Sequence, residues 1–193
     1  MKNDFKHLAF SSSRYKFAAK MIENNKHEHI LELGCSDGFA TVIFSQLGAK
    51  VTAIDFDEEA INFAQQNKYD SNIEFHCDNF LGKRYGEYNA VVSLDVIEHI
   101  EQQNEAIFFQ TVCDNLLPDG VLVLGTPNIT SALYASERSN KSHINLYDHK
   151  RLSNLVSNYF NNIFVFGMND EIVHTGFLPM AHYLMVVAAY KKR

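Results

Sequence analysis

The sequence predicts an α/β fold: a seven-stranded, mostly parallel sheet with helices on both faces and an antiparallel last strand. Three observations carry this. Strand-like and helix-like segments alternate along the chain, the pattern that yields parallel sheets with helical crossovers. Ala90–Leu94 is an apolar run interrupted only by Ser93, as suits a strand covered on both faces. The last two strand-like segments have no helical pattern between them, so they are expected to pair antiparallel.

The elements follow in order. Arg14–Asn24 reads as an amphipathic helix, with Phe17, Ala18, Met21 and Ile22 at helical spacing. Ile30–Leu33 is a strand. Phe39–Leu47 reads as a helix ending at Gly48, a left-handed cap. Val51–Ile54 is the second strand. Asp57 caps a helix to Asn67, with Glu58 and Glu59 in the first turn, where the macrodipole favours acids. Ile73–Phe75 and Ala90–Leu94 are strands three and four. Asn104–Leu116 is helical and stops at Leu117-Pro118-Asp119-Gly120, a turn before the fifth strand, Val121–Gly125. Asp148–Tyr159 is a helix. Ile163–Phe166 and Tyr183–Tyr190 are the final strands, joined through Gly167–His182. No repeat or low-complexity tract divides the 193 residues, which fit one domain. Within it, 1–28 reads as a helical N-terminal cap, 29–126 as the ligand-binding core and 127–193 as loops and last strands.

Composition narrows the function. Seventeen Lys and Arg against twenty-three Asp and Glu give a net charge of −6, which opposes bulk electrostatic binding to nucleic acid or anionic membranes. Only Lys191-Lys192-Arg193 forms a basic run. The three cysteines, Cys35, Cys77 and Cys113, contain no C-x-x-C pair, which opposes a zinc knuckle or a disulfide framework and fits a reducing cytoplasm. Met1–Phe10 lacks the apolar centre of a signal peptide. A monomer or homodimer acting on a small molecule is expected.

The richest stretch is Ile30-Leu31-Glu32-Leu33-Gly34-Cys35-Ser36-Asp37-Gly38. Gly34 permits a sharp bend after the first strand, and Gly38 opens the next helix without a side chain. About twenty residues on, Asp55 ends the second strand, where a carboxylate accepts hydrogen bonds from ribose hydroxyls. A dinucleotide fingerprint would need glycine at 36 and 39, but Ser36 and Phe39 stand there. No Gly-Lys-Ser/Thr follows, so this is not a P-loop.

Glu32-x-Gly34-x-Ser36-x-Gly38 resembles the first motif of the class I S-adenosylmethionine (SAM) dependent methyltransferases, with Ser36 in place of the usual middle glycine. Val51–Asp57 is similar to the second motif, Phe75–Phe80 to the third, Tyr88–Ile100 to the fourth and Leu116–Leu124 to the fifth. The resemblance implies a Rossmann-like domain that binds SAM and releases S-adenosylhomocysteine (SAH). It implies a cofactor site of Glu32, Gly34, Cys35, Ser36, Gly38, Asp55, Phe56, Asp78, Asn79 and Leu94. Asp55 would take the ribose and Asp78 the adenine amino group, while Arg14 and Tyr15 close over the methionine carboxylate.

Methyl transfer from a sulfonium disperses charge, so alignment is the protein's main task, with a base for a hydroxyl acceptor. His143 and His174 are the two base candidates, on segments expected at the carboxyl edge of the sheet. His99, Asn128, Tyr134, Arg138 and Lys141 are the candidate substrate contacts, and the cations suit a phosphorylated or sugar-like acceptor. Asp95-x-x-Glu98-His99 has metal-ligand residue types, but the resemblance includes relatives with a similar Glu-His pair and no metal, so no metal is expected. Thr126-Pro127-Asn128 and His143-Ile144-Asn145-Leu146 are similar to small bacterial methyltransferases of the ubiquinone-biosynthesis-like and surface-glycan-associated branches. O-methylation of a small polar acceptor, including a polysaccharide precursor, is the leading expectation. N-methylation and a SAM-binding scaffold without turnover stay open.

Overall fold

The computed structural model describes residues 5–23, 29–67 and 69–192. Of the expected N-terminal cap, 5–23 is described; the expected helix end at Asn24 and the sequence to 28 lie outside the described residues, as does Arg193 of the basic run. The elements run α1 (Phe5–Ile22), β1 (His29–Leu33), α2 (Val42–Ser45), β2 (Lys50–Asp55), α3 (Glu58–Asn67), β3 (Ile73–Cys77), β4 (Tyr88–Leu94), α4 (Glu105–Asn115) and β5 (Leu116–Pro127), then α5 (Glu137–Ser142), α6 (His149–Ser157), β6 (Phe160–Asn169), β7 (Ile172–His174) and β8 (Tyr183–Lys191).

One eight-stranded sheet has the order β3-β2-β1-β4-β5-β8-β6-β7. The five strands from β3 to β5 are parallel, and β8 inserts antiparallel between β5 and β6. The expected mostly parallel sheet with an antiparallel last strand is present. One short strand is added: β7 folds back on β6, pairing Gly167 with His174. The order steps outward from β1 in both directions, so β1 and β4 flank the switch point where α/β sheets bind ligands.

Alternation within each strand builds two cores. Ile30, Ala90, Val92, Val121 and Val123 face one side, where Tyr15, Ala18 and Ile22 of α1, Phe44 of α2 and Ile61 and Ala64 of α3 cover them. Leu31, Leu33, Val91, Leu122 and Leu124 face the other, under Phe108, Phe109 and Val112 of α4 and Leu152 and Val156 of α6. Both faces are apolar, which is why the strands read as apolar runs.

Three elements differ from expectation. α1 starts earlier, at Phe5. α2 is a single turn, because the flanking bonds, such as Phe44 N–H to Thr41 O and Gly48 N–H to Ser45 O, close after three residues rather than four. The Pro118-Asp119-Gly120 turn is a bulge inside β5: the β4 partner shifts from Leu116 at Tyr88 to Val121 at Ala90. The expected Asp57 cap is present, accepting from Glu59 and Ala60 N–H, and the structure adds a cap at Asp148, which accepts from Arg151 N–H.

Helix α1 is tied to β1 by a polar bond inside the core. The Tyr15 hydroxyl donates to Glu32 Oε1 at 2.6 Å, and both residues are buried. Burial pushes the Glu32 carboxyl up to about 7, against the opposing pull of the Tyr15 hydroxyl. A group protonated more readily in the folded chain stabilises it fully below its unfolded pKa of about 4.3, and that contribution fades as pH rises through 7. Glu32→Gln keeps an acceptor for Tyr15 and removes the titration. The variant should gain on the wild type by on the order of 2–3 kcal/mol between pH 4.5 and 8 in urea melts; a constant gap across that range would refute the assignment.

Two left-handed glycines give a second test. An added Cβ at Gly38 (φ +71°) would lie 2.4 Å from the Phe75 ring, whereas at Gly48 (φ +79°) it would meet nothing within 4 Å. Gly48→Ala should cost only the backbone strain, about 1–2 kcal/mol. Gly38→Ala should add overpacking, reaching roughly 2–4 kcal/mol by denaturant midpoint.

Candidate functional site

The bend after β1 is fastened to β2. Gly34 N–H donates to Ile54 O at 2.7 Å, and Ser36 N–H to Asp55 Oδ2 at 2.8 Å. Gly34, Ser36 and Gly38 all have positive φ, at 85°, 50° and 71°. Ser36 thus occupies a left-handed conformation at a cost of roughly 1 kcal/mol, where the resemblance expects glycine. A Cβ on Gly34 would lie 2.2 Å from Val96, so the bend rests directly on the turn after β4.

Asp55 sits at the carboxyl end of β2, 9% exposed. Its Oδ1 accepts from Asp57 N–H at 2.9 Å, which aims the carboxylate along the sheet edge with lone pairs left for a diol. Phe56 beside it is 77% exposed, an open apolar face at the rim. Asp78 N–H donates to Asp55 O at 2.8 Å, drawing the third motif to the same edge. The Asp78 carboxylate is already engaged by Lys83 and by the Tyr85 hydroxyl, which hold its pKa low. Asn79 Oδ1 accepts from Leu81 N–H. Cys35 is buried in the core wall, and burial pushes its thiol up, away from nucleophilic use. Leu94 is buried and stands in register with Gly125 across β4 and β5.

Beyond the bend lies a cluster that the motifs alone do not reveal. Arg14 Nη1 donates to both oxygens of Asp95, at 2.8 and 2.6 Å, and its guanidinium stacks 3.8 Å above the Tyr183 ring. Asp95, like Ser36, has positive φ, at 58°. Glu98 is fully buried, with Oε2 accepting from the Thr126 hydroxyl at 3.0 Å and Oε1 without a hydrogen-bond partner among the described residues. Burial, then the neighbouring Asp95 charge, raise its pKa. Arg14 and Tyr15 therefore reach the cofactor edge as braces, one on Asp95 and the other on Glu32.

The segment from Thr126 to Tyr147 is expected as a loop; its first two residues belong to β5, and the rest holds a 3-10 turn over Ile129–Tyr134 and helix α5, whose Ser136 cap accepts from Ser139 N–H. The Asn128 side chain is buried and donates to Leu178 O and Ala181 O, joining this segment to the β7–β8 connection. Tyr134, 80% exposed, lies against His182. Arg138 and Lys141 are exposed on α5. His143 follows α5 and meets His99 edge-on, with ring centroids 5.0 Å apart; burial, then His99, lower its pKa. His174 stands apart: β7 is three strand positions beyond β5, about 14 Å at the usual strand spacing. Asn145 fixes the return of the segment, its N–H bonding Glu98 O and its amide bonding Glu105 and Tyr147. No helix among the described residues is long and apolar enough to cross a membrane.

A family model described as a methyltransferase domain matches residues 6–160. The ubiquinone biosynthesis O-methyltransferase of Xanthomonas campestris pv. campestris (strain B100) is 30% identical over 112 residues, 55% of this chain and 46% of that protein. The chain thus spans about half the length of the curated relatives it matches. Among solved structures, the methyltransferase domain of bacterial CtHen1-C superposes with a TM-score of 0.75 at 14% identity, covering 95% of this chain and all of that one. The plantazolicin methyltransferase BpumL, crystallised with a substrate analogue and SAH, gives 0.72 at 16% identity, covering 98% and 86%. These two likenesses concern the fold. Five motifs in order, a sheet with the switch point at β1 and β4, and a family match over most of its length place this chain in the class I SAM-dependent methyltransferase family.

Proposed function

We propose that the chain transfers a methyl group from SAM to an oxygen of a small polar acceptor that carries an anionic or polyhydroxyl group. The observation that carries this is the arrangement at one edge: the bend of Gly34–Gly38 is bonded to Asp55 and rests on Val96 of the turn after β4, the turn that also carries Asp95 and His99, with His143 against His99. Asp55 and Phe56 fit a ribose and an adenine face, and the left-handed turn of Gly34–Gly38 runs beside them. The sulfonium of SAM supplies an electrophilic methyl and a neutral thioether leaving group.

The residues' work is alignment and proton handling. Arg14 holds the Asp95 carboxylate in one orientation through two hydrogen bonds, which fixes the wall beside the reacting centre. The acceptor O–H gives its proton to the histidine-lined side of that centre, the oxygen lone pair forms the new O–C bond, and the C–S bond breaks with its electron pair moving to sulfur. His143 is the nearer of the two base candidates, since it touches His99 while His174 lies on the far edge of the sheet. Arg138 and Lys141 on α5 suit the anionic part of the acceptor.

A second reading has its own observation. Leu133, Tyr134, Phe177 and Met180 are between 63% and 89% exposed on the two segments that Asn128 joins. They favour an acceptor with an apolar portion, in keeping with a relative named for ubiquinone biosynthesis.

Two experiments test the proposal. Asp55→Ala should weaken SAH binding at least tenfold by isothermal titration with the far-UV spectrum unchanged; affinity within twofold of wild type would remove Asp55 from the ribose site. With labelled SAM and a panel of sugar phosphates, polyols and alkylated phenols, a sugar-phosphate product bearing an O-methyl group is expected. The Arg138→Ala/Lys141→Ala double variant should then raise KM about tenfold with kcat little changed. SAH binding without turnover on any acceptor would favour a scaffold instead.

A further inference from the structure

We infer that Glu98, His99 and His143 form a binding site for one divalent transition-metal ion at the acceptor side of the cofactor edge. The inference rests on the reading of that edge as the place of methyl transfer and assigns His143 a different part there: a ligand rather than a free base.

One ligand atom from each of the three residues lies within 4.8 Å of the others. Around a single ion such atoms stand about 3 Å apart, since each bond is about 2.0–2.2 Å long. Glu98 and His99 are fixed on the turn after β4, and His143 arrives from the end of α5, whose position Asn145 holds through Glu98 O.

Two independent features point to a cation. The first is Glu98 Oε1, buried and without a hydrogen-bond partner among the described residues, while its twin oxygen is bound by Thr126. A buried carboxylate oxygen left bare costs free energy, and a metal ion removes that cost. The second is the tautomer of His99. Its Nδ1 lies 2.9 Å from Ser142 O, and a carbonyl only accepts, so Nδ1 carries the proton and Nε2 keeps its lone pair. A ring N–H given to a backbone carbonyl is the usual outer support of a metal-ligating histidine. Asp95 stays with Arg14 and is not required.

Two imidazoles and one carboxylate select manganese, iron, cobalt or zinc over magnesium and calcium, which prefer oxygen donors. Three protein ligands leave positions open on the solvent side, where His99 is exposed and His143 is partly exposed. An acceptor hydroxyl that reaches the ion there becomes more acidic and releases its proton to water, so the oxygen is poised for the methyl without a dedicated base. This favours an acceptor with an oxygen nucleophile and disfavours an amine.

The test uses the whole chain, freed of metal by chelator and dialysis. Titration with Co²⁺, read by its visible absorption, and with Mn²⁺, read by electron paramagnetic resonance, should show one equivalent bound with micromolar affinity. Mg²⁺ and Ca²⁺ should bind at least a hundredfold more weakly. His143→Ala, at a half-exposed position outside the cores, and His99→Gln should each weaken Co²⁺ binding at least a hundredfold and leave SAH affinity within threefold. No saturable Co²⁺ or Mn²⁺ binding by the wild type, or binding undiminished in both variants, overturns the site. Loss of SAH binding by the wild type with Co²⁺ binding intact would instead overturn the functional reading and leave the metal site standing.

Discussion

The bend at Gly34 is the constraint on which the rest depends. Its left-handed backbone would be strained for any other residue, and the 2.2 Å approach to Val96 leaves no room for a Cβ. Because the bend lies flat on the turn after β4, the strand ends that carry Asp55 and Asp95 share one wall. Ser36 N–H bonding Asp55 locks the first half of that wall. Ser36 itself is strained, and the bond it makes to Asp55 explains why the strain persists: the surroundings fix the conformation even without glycine.

The charges at this edge obey a common rule. Glu32, Glu98 and the Arg14–Asp95 pair are each buried or half-buried where two elements meet, and each holds one element to another: α1 to β1, the β4 turn to β5, and α1 to the β4 turn. Apolar side chains would pack such junctions at lower cost in desolvation. Glu32 and Glu98 each keep one carboxylate oxygen bound and the other bare among the described residues. What sets Glu98 apart is the pair of imidazoles, His99 and His143, beside it.

The sheet was legible because its strands are buried on both faces, which leaves long apolar runs between helical segments with clear caps such as Asp57. The bend after β1 was legible because a left-handed backbone requires glycine, as at Gly34 and Gly38, and the carboxylate that fastens it is a single residue, Asp55. Other features leave no local signal. Helix α5, Glu-Arg-Ser-Asn-Lys-Ser, is polar on every side and six residues long, so it carries no periodicity and stands on the Ser136 cap. β7 is three residues long. The Pro118-Asp119-Gly120 turn reads as a terminator, yet its flanks stay paired with β4 and it becomes a bulge. The burial of Glu98 follows from the β5 end folding over it, which no spacing in the motif encodes.

The two histidines proposed as bases show how far a sheet can separate residues that a sequence treats alike. Both follow strands that leave the same edge, and both lie in segments rich in polar residues. Yet β8 and β6 intervene between β5 and β7, so His174 packs against Gly167 at the margin, where a Cβ would lie 2.6 Å from its ring. His143 returns to the centre because its segment is pinned at both ends: Asn128 to the β7–β8 connection, and Asn145 to Glu98 and to the Glu105–Tyr147–Arg151 group. The pin at Asn145 also fixes Ser142 O, the acceptor that sets the His99 tautomer. One short polar segment therefore brings in His143 and orients His99 at once. An exchange of residues within 137–142 would change what the edge accepts while the sheet, the bend and Asp55 stayed as they are.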